Sequence, residues 1–231
     1  MTPAHYQTLE YSRVDRLFRA YVESAPGPLR VLDFGCGRGR YLKALSSLGC
    51  EVAGVDANPD YVEEAKAAGF PAWLPDGFFE QDQARFDVIL LSHLVEHLTP
   101  EELVGLIPKL CCLAPGGRLI IITPLHGERF WHDFSHLRPY YPQSIRHAFG
   151  QLASPLSFGG STILELEDIY FFADPLRTRT WRSFYVKRGL RHRLTSALNG
   201  LFDAAWRLSG GRIGIKSSWL GVYRIGASPG S

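Results

Sequence analysis

Hydrophobic positions along the chain change period several times. Residues 8–24 place Leu9, Val14, Leu17, Phe18, Tyr21 and Val22 at helical spacing, and SAPGP then ends that helix. RVLDFG (30–35) is a short apolar run closed by glycine, a buried strand, and RYLKALSSLG (40–49) reads as the helix after it. EVAGVDANP (51–59) predicts a second strand ending in an acid and a turn, and DYVEEAKAAGF (60–70) a helix stopped at Gly69. FPAWL (70–74) is a weak third strand. FDVILLS (86–92) is a fourth, and the helix after it starts at Pro100, with Leu103, Val104, Leu106, Ile107 and Leu110 inward. APGG turns into GRLIIITP (117–124), the fifth strand.

Strands alternating with helices of this length imply βαβ units and a parallel sheet. Their nearly continuous apolar runs fit a sheet covered on both faces. After residue 125 the pattern breaks. LHGERFWHDFSHLRPYY (125–141) is a polar and aromatic loop, PQSIRHAFG (142–150) a short helix, and STILELEDIYFF (161–172) and SSWLGVYRIG (217–226) read as strands. One domain is expected over residues 1–231. It comprises an N-terminal helix (1–27), a first half (28–125), a loop, helix and strand (126–173), an insertion (174–216) and a last strand (217–226).

Charge changes the picture of the insertion. From Pro175 to Lys216 there are ten basic residues and one acid, Asp203, whereas the rest of the chain has 15 basic and 22 acidic residues. An acidic body carries a basic piece, which points to an anionic partner. Leu190, Leu194, Ala197, Leu198, Leu201, Phe202, Ala205 and Leu208 keep a helical spacing there. Lys187, Arg188, Arg191 and Arg193 gather at its start, and Trp181, Phe184, Tyr185 and Trp206 lie nearby. Two readings stand: an interfacial helix contacting anionic membrane, or a helix packing its apolar stripe on the domain with its arginines solvated. The arginines lack a recognised RNA-binding motif, which argues against nucleic acid. The four cysteines, Cys36, Cys50, Cys111 and Cys112, have no disulfide or metal-site spacing and are expected reduced and buried. No signal peptide and no run of about 20 apolar residues is visible. The expected location is cytoplasmic, with the basic piece peripheral at the inner face of the membrane.

The turn after the first strand, Asp33-Phe34-Gly35-Cys36-Gly37-Arg38-Gly39, allows close approach of backbone to a ligand. It is not the dinucleotide G-x-G-x-x-G, because Arg40 occupies the third glycine position. VLDFGCGRGRYL, Asp56 ending the next strand, FDVILLS and LAPGGRLIIITP together resemble the class I S-adenosylmethionine-dependent methyltransferases over roughly residues 28–125. The resemblance implies an α/β, Rossmann-like sheet of seven strands in the order 3-2-1-4-5-7-6, with strand 7 antiparallel and helices on both faces. The basic helical insertion would lie between the last two strands. It implies S-adenosylmethionine as cofactor, held by Asp33, Gly35, Cys36, Gly37, Gly39, Asp56, Ala57 and Ser92, with Asp56 on the ribose hydroxyls, as an acid serves NAD ribose. Asp76 and Gly77 would face the adenine edge.

His93-Leu94-Val95-Glu96-His97, directly after the fourth strand, spells H-x-x-E-H, the zinc signature of inverzincin peptidases. That motif requires a helix, and the strand ends too close by. In many small-molecule methyltransferases a similar L-x-E-H-L carries no metal and shapes the loop or substrate pocket. Some quinone and RNA-end methyltransferases resemble a third reading, with E-x-x-E-H and a further histidine after strand five binding a divalent metal. Here His93, Glu96, His97 and His136 would form that set, suited to zinc, iron or manganese.

His126, His132, Asp133, His136 and Arg138 crowd the loop after the fifth strand, where open α/β sheets bind ligands. His97, His132 and His136 are candidate bases, and His93 and Arg138 candidate substrate contacts. Residues 133–140 also resemble a D-x-[ST]-H-x-R-x-[FY] stretch of bacterial methyltransferases that modify glycans and lipid-linked sugars. The expected activity is O-methylation of a sugar or lipid-linked glycan. The alternatives are O-methylation of a quinone or phenolic small molecule, and a non-catalytic, membrane-associated protein that binds the cofactor.

Overall fold

The computed structural model describes residues 5–80, 85–128, 130–150, 164–178 and 187–226. In chain order these form α1 (His5–Ser24), β1 (Arg30–Phe34), α2 (Arg40–Ser46), β2 (Glu51–Val55), α3 (Pro59–Ala67), β3 (Ala72–Trp73), α4 (Pro75–Phe79) and β4 (Val88–Ser92). There follow α5 (Pro100–Leu113), β5 (Arg118–Pro124), α6 (Pro142–Phe149), β6 (Leu164–Asp174), α7 (Leu190–Leu208) and β7 (Ile215–Ile225).

One sheet runs β3-β2-β1-β4-β5-β7-β6. The first five strands are parallel, and β7 is antiparallel to both β5 and β6. This is the expected order. Alternate strand residues serve opposite faces. Leu32, Ile89, Leu91, Leu119 and Ile121 pack with Leu103, Ile107 and Leu110 of α5 and Ile145 and Phe149 of α6. Val31, Val88, Leu90, Ile120 and Ile122 pack with Val14 and Phe18 of α1 and Tyr41 and Leu45 of α2. Both sets are buried, which is why the strands read as continuous apolar runs rather than alternating ones.

Local signals account for the helix starts. At α5, Pro100 follows a capping box in which the Thr99 hydroxyl accepts from the Glu102 amide at 3.3 Å and the Glu102 carboxylate accepts from the Thr99 amide at 2.8 Å. At α3, the Asn58 side chain accepts from the Asp60 amide at 2.9 Å.

Several boundaries differ from expectation. α1 begins at His5, and the third strand has only two residues. β6 runs from Leu164 to Asp174, and residues 161–163 of the predicted strand lie outside the described residues. β7 begins at Ile215, so Ile215 and Lys216 belong to the sheet and not to the insertion. Trp181, Phe184 and Tyr185 also lie outside the described residues. Cys36, Cys50 and Cys111 are buried free thiols, but Cys112 is exposed. Adjacent residues on a helix are about 100° apart, so one thiol faces the sheet and its neighbour faces water.

The packing reading of α7 is overturned. Leu190, Leu194, Leu198, Leu201 and Leu208 are exposed, and Trp206 is the buried residue of that helix.

Gly54 sets how closely the glycine turn approaches β2. A Cβ there would lie 2.9 Å from Cys36 Sγ and 2.9 Å from Leu42 Cδ1. Gly54→Ala is expected to cost about 1–3 kcal/mol, seen as a lower Tm in thermal unfolding.

Candidate functional site

The carboxyl ends of β1, β2 and β4 open into a cavity of about 440 Å³. Asp33, Gly35, Cys36, Gly37, Asp56, Ser92, His93 and His97, all candidates from sequence, line it. Gly39, Ala57, Asp76 and Gly77 lie outside that lining, and Asp76 is exposed on the short α4. The weak third strand gave no firm register for the adenine-side assignment.

Gly35, Gly37 and Gly39 all have positive φ, at 90°, 51° and 71°. No heavy atom lies within 4 Å of where a Cβ on Gly37 would be, which leaves the backbone open to a ligand. The turn is held from β2. The Gly35 and Cys36 amides donate to the Val55 carbonyl at 2.7 and 3.0 Å, and the Gly37 amide donates to Asp56 Oδ2 at 2.7 Å. Asp56 Oδ1 accepts from the Asn58 amide at 2.9 Å. Each oxygen of that carboxylate retains a second lone pair for a ribose hydroxyl.

Asp33 is 2% exposed, and its Oδ1 has no hydrogen-bond partner among the described residues. Burial, with the Asp56 charge adding to it, pushes this carboxyl up to about 7. A buried acceptor of this kind calls for a donor from a ligand. Glu10, Asp33 and Asp56 make three acids in the lining, beside Arg38, Arg40 and His93, and Glu10 faces His93 at 3.0 Å. A sulfonium and an ammonium suit the acids, and a carboxylate suits the arginines. The residues therefore fit S-adenosylmethionine.

His93 follows β4 in a left-handed conformation, φ 54°, with its amide donating to the Ile122 carbonyl at 2.8 Å. Such a backbone costs of order 1–3 kcal/mol outside glycine. It aims the ring between two buried carboxylates: Nε2 lies 3.0 Å from Glu10 Oε2 and Nδ1 3.2 Å from Glu96 Oε1. Burial pulls the imidazole down, but the carboxylates, Glu10 foremost, outweigh it and raise it to about 10. His93 is therefore a cation at neutral pH. Glu10 also accepts from the Ser218 hydroxyl of β7, and Glu96 Oε2 accepts from Thr123 Oγ1 of β5 at 2.9 Å.

With both ring nitrogens facing carboxylates, His93 stands apart from the group that could hold a metal. Glu96, His97 and His136 offer ligand atoms within 4.8 Å of one another. Glu96 and His97 lie on a single 3-10 turn, Val95–His97, so the motif is not the helix a zinc peptidase needs. The Leu137 and Arg138 amides donate to the Glu96 carbonyl at 2.8 and 3.3 Å, which brings His136 beside His97 with ring centroids 4.8 Å apart. His97 Nδ1 lies 3.1 Å from the Ser135 carbonyl and His136 Nδ1 2.7 Å from the Phe130 carbonyl. A carbonyl only accepts, so each Nδ1 carries a proton, and the tautomer this selects has its lone pair on Nε2. His136 Nε2 is 3.8 Å from Asp133 Oδ2.

His136 also lines a second cavity, of about 270 Å³, with Leu125, His126, Phe130, Arg177 and Ile215 among its walls. His97 lines the first cavity and His136 the second, so their ring contact lies in the wall between the two. His132 and Arg138 line neither: His132 stands 3.5 Å from Glu128, and the Arg138 guanidinium lies 5.7 Å from the Tyr140 ring centroid. Glu10, Gln7, Tyr41 and Thr123 were not anticipated. Glu10 left a trace in the sequence, as a carboxylate on the α1 face that also carries Val14 and Phe18.

A methyltransferase-domain family model matches residues 5–197, and the chain belongs to that family. A ubiquinone biosynthesis O-methyltransferase of Bradyrhizobium diazoefficiens is 35% identical over 117 residues, 47% of this chain and 44% of that protein. One of the same name from Cereibacter sphaeroides is 36% identical over 110 residues, 43% of this chain and 44% of that protein. The chain thus spans under half the length of these curated relatives. A SAM-dependent methyltransferase from Archaeoglobus fulgidus superposes with TM-score 0.57 at 20% identity, covering 92% of this chain and 93% of that one. A magnesium protoporphyrin IX methyltransferase from Synechocystis PCC 6803 with bound SAH gives 0.58 at 17%, covering 96% and 83%. These likenesses show the fold.

His93 is the cation between Glu10 and Glu96, so His93→Ala leaves two buried carboxylates uncompensated. The expected cost is about 3–5 kcal/mol, with faster amide hydrogen exchange in α1. Unchanged exchange across residues 5–24 would show that this contact does not hold the helix.

Proposed function

We propose that this domain transfers the methyl group of S-adenosylmethionine to a hydroxyl oxygen of a quinone-type or other phenolic small molecule. One observation carries the reading: His97 and His136, in ring contact, stand between a cavity on the glycine turn that bears a buried, unpartnered Asp33 oxygen and a second cavity able to take an acceptor. The names of the curated relatives favour a phenolic acceptor over the sugar or lipid-linked glycan that the loop motif suggested. The partly apolar wall formed by Leu125, Phe130 and Ile215 suits an aromatic ring.

The cofactor supplies a methyl on a sulfonium, and as the acceptor oxygen forms its bond to carbon the sulfur–carbon electron pair stays on sulfur. Asp33 and Asp56 favour the cationic ligand, Glu10 being engaged by His93, and the glycine turn admits it closely. His136 holds Nε2 free to take the acceptor's proton, with the Phe130 carbonyl fixing its tautomer. His97 packs edge-on against it and limits its rotation. Holding acceptor and methyl in line accounts for much of such a rate acceleration.

A second reading is favoured by the clustering of Glu96, His97 and His136. A carboxylate and two imidazoles fit zinc, iron or manganese, and an ion held there would lower the acceptor hydroxyl's pKa. His93 is left out of this set because the carboxylates already engage it.

His136→Ala is expected to lower turnover at least about 100-fold while cofactor binding, followed by calorimetry, survives. Metal analysis and chelation separate the two readings. Chelator-resistant activity in metal-free protein supports the base, and one ion per chain with chelator-sensitive activity supports the metal. The acceptor is tested with labelled S-adenosylmethionine: label should enter phenolic acceptors, and label entering only glycan fractions would reject the phenolic assignment.

Asp33 generates a pH prediction. Its carboxyl ionises around pH 7 in the free protein, and only the ionised form attracts the cationic ligand. Affinity for S-adenosylmethionine should therefore rise with pH between about 6 and 8. Asp33→Asn should weaken binding and flatten that rise. An equally steep profile in the variant would remove Asp33 from the role.

A further inference from the structure

We propose that α7 is an interfacial helix that docks the protein on an anionic lipid surface. At about 3.6 residues per turn, Leu190, Leu194, Leu201 and Leu208 fall along one side of the helix, with Leu198 beside them. They are 72%, 62%, 67%, 90% and 40% exposed, in the order Leu190, Leu194, Leu201, Leu208 and Leu198. The opposite side does the packing. Trp206 Nε1 donates to the Ala173 carbonyl at 2.7 Å, Asp203 pairs with Arg177 at 2.8 Å, and Asn199 Oδ1 accepts from the Thr178 amide at 2.9 Å. The helix is thus fixed to the end of β6 by its polar side, with its leucines turned outward.

The exposed cations identify the occupant. Arg191 lies on one flank of the leucine row, Arg193 and Arg207 on the other, and Lys187 and Arg188 lead into it; all five are exposed. The helix's one acid, Asp203, is spent on Arg177. Two copies facing each other through this surface would set arginines against arginines. A bilayer bearing anionic headgroups accepts both features together: leucines among the acyl chains and arginines at the phosphates.

The surface adjoins the second cavity. Arg177, which holds α7 through Asp203, lines that cavity together with Ile215 and Lys216 at the start of β7, both exposed. A lipid-soluble acceptor could thus reach the cavity from the surface that α7 contacts. The docking itself does not depend on which acceptor is used.

The test is flotation of the purified full chain with phosphatidylcholine vesicles and with vesicles that also contain phosphatidylglycerol. The protein should float with the anionic vesicles, less so at high salt. Leu194→Glu with Leu201→Glu should weaken binding at least about tenfold. Both sites are exposed, and circular dichroism checks that the fold is kept. Arg191→Gln with Arg193→Gln supplies an independent pair that leaves the leucines in place, and it should lower binding to the anionic vesicles selectively. No flotation of the wild type overturns the proposal, as does full flotation of both variant pairs. A wild-type dimer in light scattering that the glutamate pair dissociates would also overturn it, assigning the surface to a second copy.

Discussion

Glu96 binds four separate parts of the chain to one point. Its carboxylate accepts from Thr123 on β5 and faces the His93 imidazolium, and its carbonyl accepts from the amides of Leu137 and Arg138. Through His93 the set extends to Glu10 on α1, and through Glu10 to Ser218 on β7. A carboxylate with no exposure is tolerable only with a cation and donors around it. The left-handed backbone at His93 follows from that demand, since it brings the ring between the two acids. The same contacts place α1 over the cavity on the glycine turn and the aromatic loop over His97, so cavity shape depends on one buried ion cluster.

The parts of the fold that burial alone determines were legible in the sequence. β1, β4 and β5 read as continuous apolar runs because helices cover both faces, and the glycine turn with Asp33 and Asp56 stood at the expected spacing. β3 was faint because two residues carry too little pattern to mark a strand. The adenine-side assignment of Asp76 and Gly77 rested on that faint strand, and both lie outside the lining of the cavity.

Contacts between distant segments were harder to read. Glu96, His97 and His136 could be grouped because a strand end and a following loop meet at the same edge of an open sheet. What joins them is a pair of amide bonds to the Glu96 carbonyl, and no side-chain period records those. Glu10 lies 83 residues from His93. Only its place among the buried positions of α1 hinted at a partner. In α7 the period was right and its usual meaning was not. A leucine row signals that a face avoids water, but not what covers it.

Charge is divided between the two ends of the molecule's chemistry. The cavity on the glycine turn sets three acids beside three cationic groups, and burial keeps one of the acids, Asp33, near its midpoint at neutral pH. The surface of α7 gathers arginines, and its acid is consumed in attaching the helix to β6. Had that acid faced outward, it would have opposed an anionic surface. Had the leucines faced inward, they would have required an apolar partner where β6 ends in Asp174 and the segment after it carries Arg177. Fixing the helix by polar groups leaves the whole apolar row free. The same attachment puts the basic piece at the rim of the second cavity, so one arrangement of polar contacts sets both the outward face of α7 and part of that cavity's wall.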